Sequence, residues 1–509
     1  MISPVLRAAA RAVSRAAAGG WAASATLAGR LGRWARGRAR SRRGRVLLGL
    51  LAVVMLAVPS LLGFVLASAL GGDGSDGTGT KVATIGVMAP LSGDLSADGA
   101  AVRNAVALAV DEANESGVIA GWRLELSSRD DLARPDGGAQ AADAFAANER
   151  LIGVVGPVSS LVARVAVPTL AAAGVPVVSP SNADPGLTGV GTEPRTRPYP
   201  SYFRLAGTDE LQAQVAADYA VRTLGRRHIA VVDGEPRYGT TLADRFAAHA
   251  TALGASVTAM YPIRGDDDGP EVDDVAASLE QEGPDLVYLD TAASFAGRLR
   301  ARLAEGGLSV QVLGSDALLR PRYTDEAKTA ADGDLITSLL TPPTRLPAAG
   351  AFVAAYAQRF GGVPGPGNTT RSPRTSSATS AAGSGQPAVN SSGGPTSPSV
   401  APGRSADEQT DHDAAVQLAQ RRAESVPAVA AYAYDAARAI IRAAAAVLPG
   451  RPGVDAAVRR DLVAAIGRGT FVGVSGTIEF DRFGDTRSPS VVLYTVLAER
   501  FVALTTRSH

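Results

Sequence analysis

Leu151 to Thr188, LIGVVGPVSSLVARVAVPTLAAAGVPVVSPSNADPGLT, writes one structural unit twice over. LIGVVG is a short apolar run stopped by Gly156, and the helical pattern LVARVAVPTLAAAG follows Ser159 and Ser160 directly, which reads as strand, tight turn and helix. The next strand, VPVVS, breaks at Pro180, Ser181, Asn182, Ala183, Asp184 and Pro185. Two strands bridged by a helix are parallel neighbours, and an open parallel sheet collects ligands at the carboxyl ends of its strands. Ser160 and Ser181 would therefore sit side by side on one rim, beside the unpaired amides of a helix start. Each also has a plainer reading: Ser before a helix is an N-cap, and Ser-Asn-Ala-Asp-Pro is a turn.

The alternation extends along the chain from Lys81. VATIGVMAPL is a strand and its exit loop, GAAVRNAVALAVDEANESG a helix stopped by Gly117, WRLELSSRDD a strand, and GGAQAADAFAANER a helix. A second series begins after Arg204 with the helix ELQAQVAADYAVRTLG and the strand RHIAVVDG, whose loop presents Tyr238. SVTAMYPI, PDLVYLD and VQVLGSD are further strands, the last running into Asp316. These units predict an α/β fold of two lobes, each a mostly parallel sheet flanked by helices, with a cleft between them suited to a small ligand. Residues 363–409 are almost wholly Ser, Thr, Pro, Gly and Ala, too poor in apolar groups to order, and read as a disordered insertion in a surface loop. Helical pattern resumes at VPAVAAYAYDAARAIIRAAAAVL, and strands at GTIEF and SVVLYTVL.

Charge divides the chain. Eleven of its 50 Lys and Arg fall in residues 1–45, which hold no acid, so the other 39 face all 49 Asp and Glu and the body is at about −10. That balance argues against a nucleic-acid partner. Val46 to Leu70 is a 25-residue stretch without a charge, enough to span a bilayer. The arginines before it and GGDGSDGTGT after it put the basic N-terminus in the cytoplasm and the body outside the cell membrane. A cleaved secretory signal is the rival reading, with Ala67-Ser68-Ala69 as its site. The longer apolar run and the long basic flank favour a single-pass anchor.

Catalytic signatures are missing, so the chain reads as no enzyme and as needing no cofactor. There is no Cys, no phosphate-binding G-x-x-x-x-G-K motif and no His pair at zinc spacing, and GVSGT misses G-x-S-x-G. Asp481 and Asp485 have a faint calcium-loop spacing, but the later Glu is missing and no metal is expected.

IGVMAPLSG, GPVSS, VPVVSPSNADPGLT, RYGTTLADRF, PDLVYLD, AYAYDAARA and SGTIEFDRFGD, in this order, resemble the type I periplasmic-binding-protein family, in particular the branched-chain amino-acid substrate-binding proteins of ABC transporters. The resemblance implies a clamshell with three hinge crossovers, near Arg204, Ser338 and Val474. Lobe one would be 81–204 with 338–474, and lobe two 205–337 with 475–505, after a linker at 71–80. It also implies a ligand set. The solute's carboxylate would meet Ser160, Ser181 and Ala183, with Ser159 and Asn182 in the same ligand set; Tyr238 would close over it, and Asp316 would pair with its ammonium. Three positions depart from the pattern: Ala183 stands where a Thr hydroxyl is usual, Ala292 where a relative places Tyr, and Asp98 where an aromatic lines the side-chain pocket. The expected function is capture of an amino acid or similar small polar solute, delivered to an ABC permease. A sensing or protein-binding surface ectodomain with an altered cleft is the alternative.

Overall fold

The computed structural model describes residues 80–234, 241–263, 269–361 and 424–508. The basic segment 1–45, the apolar run 46–70, most of the linker 71–80, Tyr238 and the insertion 363–409 lie outside the described residues. Among those described, no helix is long and apolar enough to cross a membrane.

In chain order, lobe one opens with β1 (Lys81–Ala89), α1 (Ser96–Ser116), β2 (Trp122–Asp130), α2 (Pro135–Ala146), β3 (Leu151–Val155), α3 (Ser160–Ala172), β4 (Val177–Ser179) and β5 (Tyr202–Arg204). Its five strands form one parallel sheet in the order β2-β1-β3-β4-β5. Side-chain alternation splits the strands between two layers. Ile85 and Val87 of β1 face a core shared with Val102, Val106 and later helices, while Met88, Leu151 and Val154 face Phe145, Val162 and Leu170 of α2 and α3. Strands covered on both sides need apolar residues at nearly every position, which is why LIGVVG reads as a run.

Lobe two follows with α4 (Asp209–Asp218), β6 (His228–Asp233), α5 (Leu242–Ala252), β7 (Ser256–Pro262), α6 (Gly269–Glu282), β8 (Leu286–Asp290), α7 (Ala293–Glu305), β9 (Gln311–Gly314), α8 (Pro321–Ala327) and β10 (Leu335–Ser338). The chain then returns to lobe one. In α9 (Gly350–Phe360), Phe352 and Tyr356 join its core, as do Tyr434, Ile440 and Ala444 of α10 (Ala428–Val447) and Leu462 and Ile466 of α11 (Ala456–Arg468). The short strands β11 (Phe471–Val472) and β12 (Thr477–Ile478) pair with each other. Last come β13 (Ser490–Leu497) and β14 (Arg500–Ser508), an antiparallel hairpin that pairs with β10. The second sheet thus runs β14-β13-β10-β9-β8-β6-β7. Alternation again builds two layers: Ile229 and Val231 pack on α5, while Ala230 and Val232 pack on the layer of α6 and α7.

One boundary differs from the sequence expectation. The chain was expected to enter lobe two at Val474, yet Val474, Ile478 and Phe480 are buried in the lobe-one core. The buried Asp435 of α10 explains this. Its carboxylate accepts the Val474 and Ser475 amides at 2.9 and 2.7 Å and the Ser475 hydroxyl at 2.7 Å. That anchorage delays the third crossover until after Phe480.

Candidate functional site

The parallel sheets bring the carboxyl ends of β1, β3 and β4 to one rim. Ser159 holds the N-cap position of α3 in extended conformation, φ −84° and ψ 138°, and its side chain makes no cap hydrogen bond. Ser160 begins the helix, half-buried. Ser181 donates to the Val158 carbonyl at 3.3 Å, so the loop after β4 lies against the turn after β3 and the two serines share the rim. Beneath them Ser179 donates to the Pro157 carbonyl at 2.7 Å and accepts the Asn182 amide at 3.0 Å. Asn182 is fully buried, and its side-chain nitrogen lacks a hydrogen-bond partner among the described residues. Ala183 is placed differently. Its methyl packs with Ala206, Val215, Leu339 and Val491, a small apolar cluster at the hinge, and its carbonyl accepts the Asp209 amide at 2.9 Å.

Arg204 supports this loop from below. Wholly buried, it donates to the Asp184 carbonyl at 2.7 Å and the Asn182 carbonyl at 3.4 Å, and pairs with Asp485 at 2.5 Å. Arg195 also reaches Asp485 at 2.5 Å. A buried guanidinium is tolerated only when its fork is filled this way. The run 481–485 therefore acts as a strut: Asp485 meets arginines, and Asp481 accepts the Phe483 and Asp485 amides at 2.8 and 2.9 Å.

The facing rim belongs to lobe two. Asp316 starts the turn after β9 and accepts from Gln212 of α4 at 3.3 Å. Gln212 is itself buried and held by the Thr337 carbonyl at 3.1 Å. Burial pushes the Asp316 carboxyl above its ordinary range, against the opposing pull of Gln212 and Arg320. Asp209 is pushed up to about 7 by removal from solvent and by the neighbouring carboxylates Asp316 and Asp184. It thus lies within electrostatic reach of an acid from each lobe. The buried hydroxyls of Tyr288, stacked on Phe246 at 3.8 Å, and of Ser315 lack hydrogen-bond partners among the described residues. Ala292 is exposed at the start of α7. Asp98, in the first turn of α1, forms an ion pair with Arg320 at 2.5 Å across the gap. The two rims therefore face one cleft.

The structure brings Ser160, Ser181 and Asn182 together on one rim, sets Asp316 on the other, and turns the Ala183 side chain toward the hinge. Gln212, Asp209, Arg204 and Arg320 carried no signal in the sequence, since each acquires its partner from a distant segment. A separate groove of about 420 Å³ lies between α10, α11 and β11, lined by Ala439, Ala443, Ile466 and Phe471, and includes none of the cleft residues.

Against known proteins, the family described as periplasmic binding protein matches residues 82–403. Leu/Ile/Val-binding protein BraC3 of Rhizobium johnstonii is 31% identical over 255 residues, which cover 50% of this chain and 67% of that protein. Among solved structures, a leucine-binding protein of Thermotoga maritima aligns with a TM-score of 0.60 at 20% identity, covering 83% of this chain and 98% of the other. An ABC transporter substrate-binding protein of Desulfitobacterium hafniense in complex with Leu aligns with a TM-score of 0.57 at 22% identity, covering 83% and 100%. At those identities the two structures speak to the fold, and they agree with its pair of hinged α/β lobes. With the family match spanning well over half of its length, the chain belongs to the periplasmic binding proteins.

Proposed function

We propose that this protein is an extracytoplasmic receptor that captures a small amino acid or amino-acid-like solute in its interlobe cleft and presents it to the permease of an ABC importer. The observation that carries the reading is the Asp316 carboxylate, fixed by Gln212 on the lobe-two rim, with the serine hydroxyls at the start of α3 on the lobe-one rim. A zwitterion matches that arrangement. Its ammonium meets Asp316, while its carboxylate meets Ser160, Ser181 and the free amides of a helix start, which favour an anion. Tyr238, from the loop after β6, belongs to the same proposed set. The binding of Leu, Ile and Val named for the similar proteins supports the amino-acid class. The apolar run 46–70 and its arginine flank support a body held at the outer face of the cell membrane.

The reading is tested by thermal shift of the full-length chain against leucine, isoleucine, valine and the remaining amino acids. A bound solute at about 100 times its Kd stabilises the folded state by about 2.7 kcal/mol, a clear rise in Tm. Asp316→Asn should abolish the shift, because removing one member of a desolvated charge pair costs about 2–5 kcal/mol of binding. Equal shifts in wild type and variant would take Asp316 out of the site.

A further inference from the structure

At the hinge the lobes are joined by backbone, by the Asp209 to Ala183 hydrogen bond and by the apolar cluster around Leu339. Away from the hinge, Arg320 Nη2 lies 2.5 Å from Asp98 Oδ2. Among the described ion pairs this is the one that ties a helix of lobe one to lobe two. Asp98 follows β1, which stands three strands from the hinge strand β5, so the pair sits roughly 14 Å out along the rim at ~4.8 Å per strand. A small rotation about the hinge opens the gap most at such a distance.

Both partners are aimed by their elements. Asp98 lies in the first turn of α1, where a carboxylate is favoured by the helix dipole, and Gly99 lets that turn seat directly on the Pro90 carbonyl. Arg320 takes the N-cap position of α8, just after the turn that carries Asp316. Asp98 keeps only 15% of its side-chain exposure and Arg320 36%, so solvent screens the pair less than one on an open surface. Two side chains whose backbones are already fixed also lose less entropy on pairing than two flexible surface groups.

We propose that Asp98 and Arg320 form a clasp that holds the lobes together with charges supplied by the chain itself, so that closure of the cleft does not wait for a solute. This goes beyond solute capture and stands whatever the solute is. The clasp raises the fraction of molecules already closed, and apparent affinity scales with that fraction.

The test measures the distance between lobes in the full-length chain without added solute. The native chain has no cysteine, so spin labels on Glu115→Cys in lobe one and Glu305→Cys in lobe two report on those sites alone. Wild type should give a short, narrow distance distribution. Asp98→Asn, which keeps the shape of the side chain, and Arg320→Gln should each shift the closed-to-open ratio by roughly tenfold toward open. Circular dichroism melting shows that the variants are folded. Distances that match between wild type and both variants overturn the clasp. A solute screen that finds nothing would count against the receptor reading and leave this result standing.

Discussion

Asp209 concentrates the electrostatics of the cleft in one residue. Its backbone amide is spent on the Ala183 carbonyl, and its carboxyl, crowded by Asp316 and Asp184, is pushed up to about 7. A carboxyl whose folded pKa exceeds its ordinary value of 3.8 binds its proton more tightly in the folded state. Its contribution to stability is therefore complete below about pH 4 and is lost as pH rises through about 7. Asp334, held between Arg300 and Tyr323, is also pushed up to about 7 and slopes the same way, but it remains in an Asp209 variant. The Tm of wild type should thus fall more steeply between pH 5 and pH 8 than that of Asp209→Asn, the two curves separating most at pH 8. Parallel curves would show that Asp209 ionises normally. Binding of an ammonium-bearing solute has the opposite pH dependence, strengthening as the Asp316 carboxyl, raised by burial, ionises.

At the scale of elements, the start of α1 decides where a charge is delivered. A Cβ on Gly99 would stand 1.7 Å from the Pro90 carbonyl oxygen, a backbone atom that cannot swing away. Gly99→Ala must therefore push the helix off the exit of β1 and move Asp98 with it. The expected loss is ~2–4 kcal/mol in denaturant unfolding, the range of overpacked cores and strained backbone. The same variant should weaken the Asp98 to Arg320 pair; an unchanged midpoint would show that the first turn of α1 has slack. Elements of this kind were legible in the sequence. Continuous apolar runs such as RHIAVVDG and helices stopped by glycine depend on neighbours a few residues away. The third crossover was not, because SGTIEF carries nothing that announces its anchor on Asp435, forty residues earlier.

For the whole molecule, the proposed anchor predicts a topology. The proposed anchor at 46–70 sets the body outside and the arginine-rich segment inside. A membrane-impermeant maleimide applied to intact cells should label Ser75→Cys and spare Ser14→Cys, with no background from a cysteine-free chain. The reverse pattern would invert the topology, and labelling of neither would remove Ser75 from the outer surface.

By itself the sequence determined the alternation of strands and helices, the two-lobed α/β class and the rim on which Ser160 and Ser181 meet. Hydrophobic period, helix stops and the handedness of strand-helix-strand units are local properties, written within about thirty residues. Tertiary structure alone decided that Ala183 turns to the hinge, that Gln212 fixes Asp316, that Arg204 fills its fork with carbonyls and Asp485, and that Asp98 finds Arg320 across the gap. Gln212 and Asp316 are 104 positions apart, Arg204 and Asp485 are 281 apart, and Asp98 and Arg320 come from opposite sides of a cleft; a charge or an amide carries no mark of its distant partner until packing brings the two within hydrogen-bond reach.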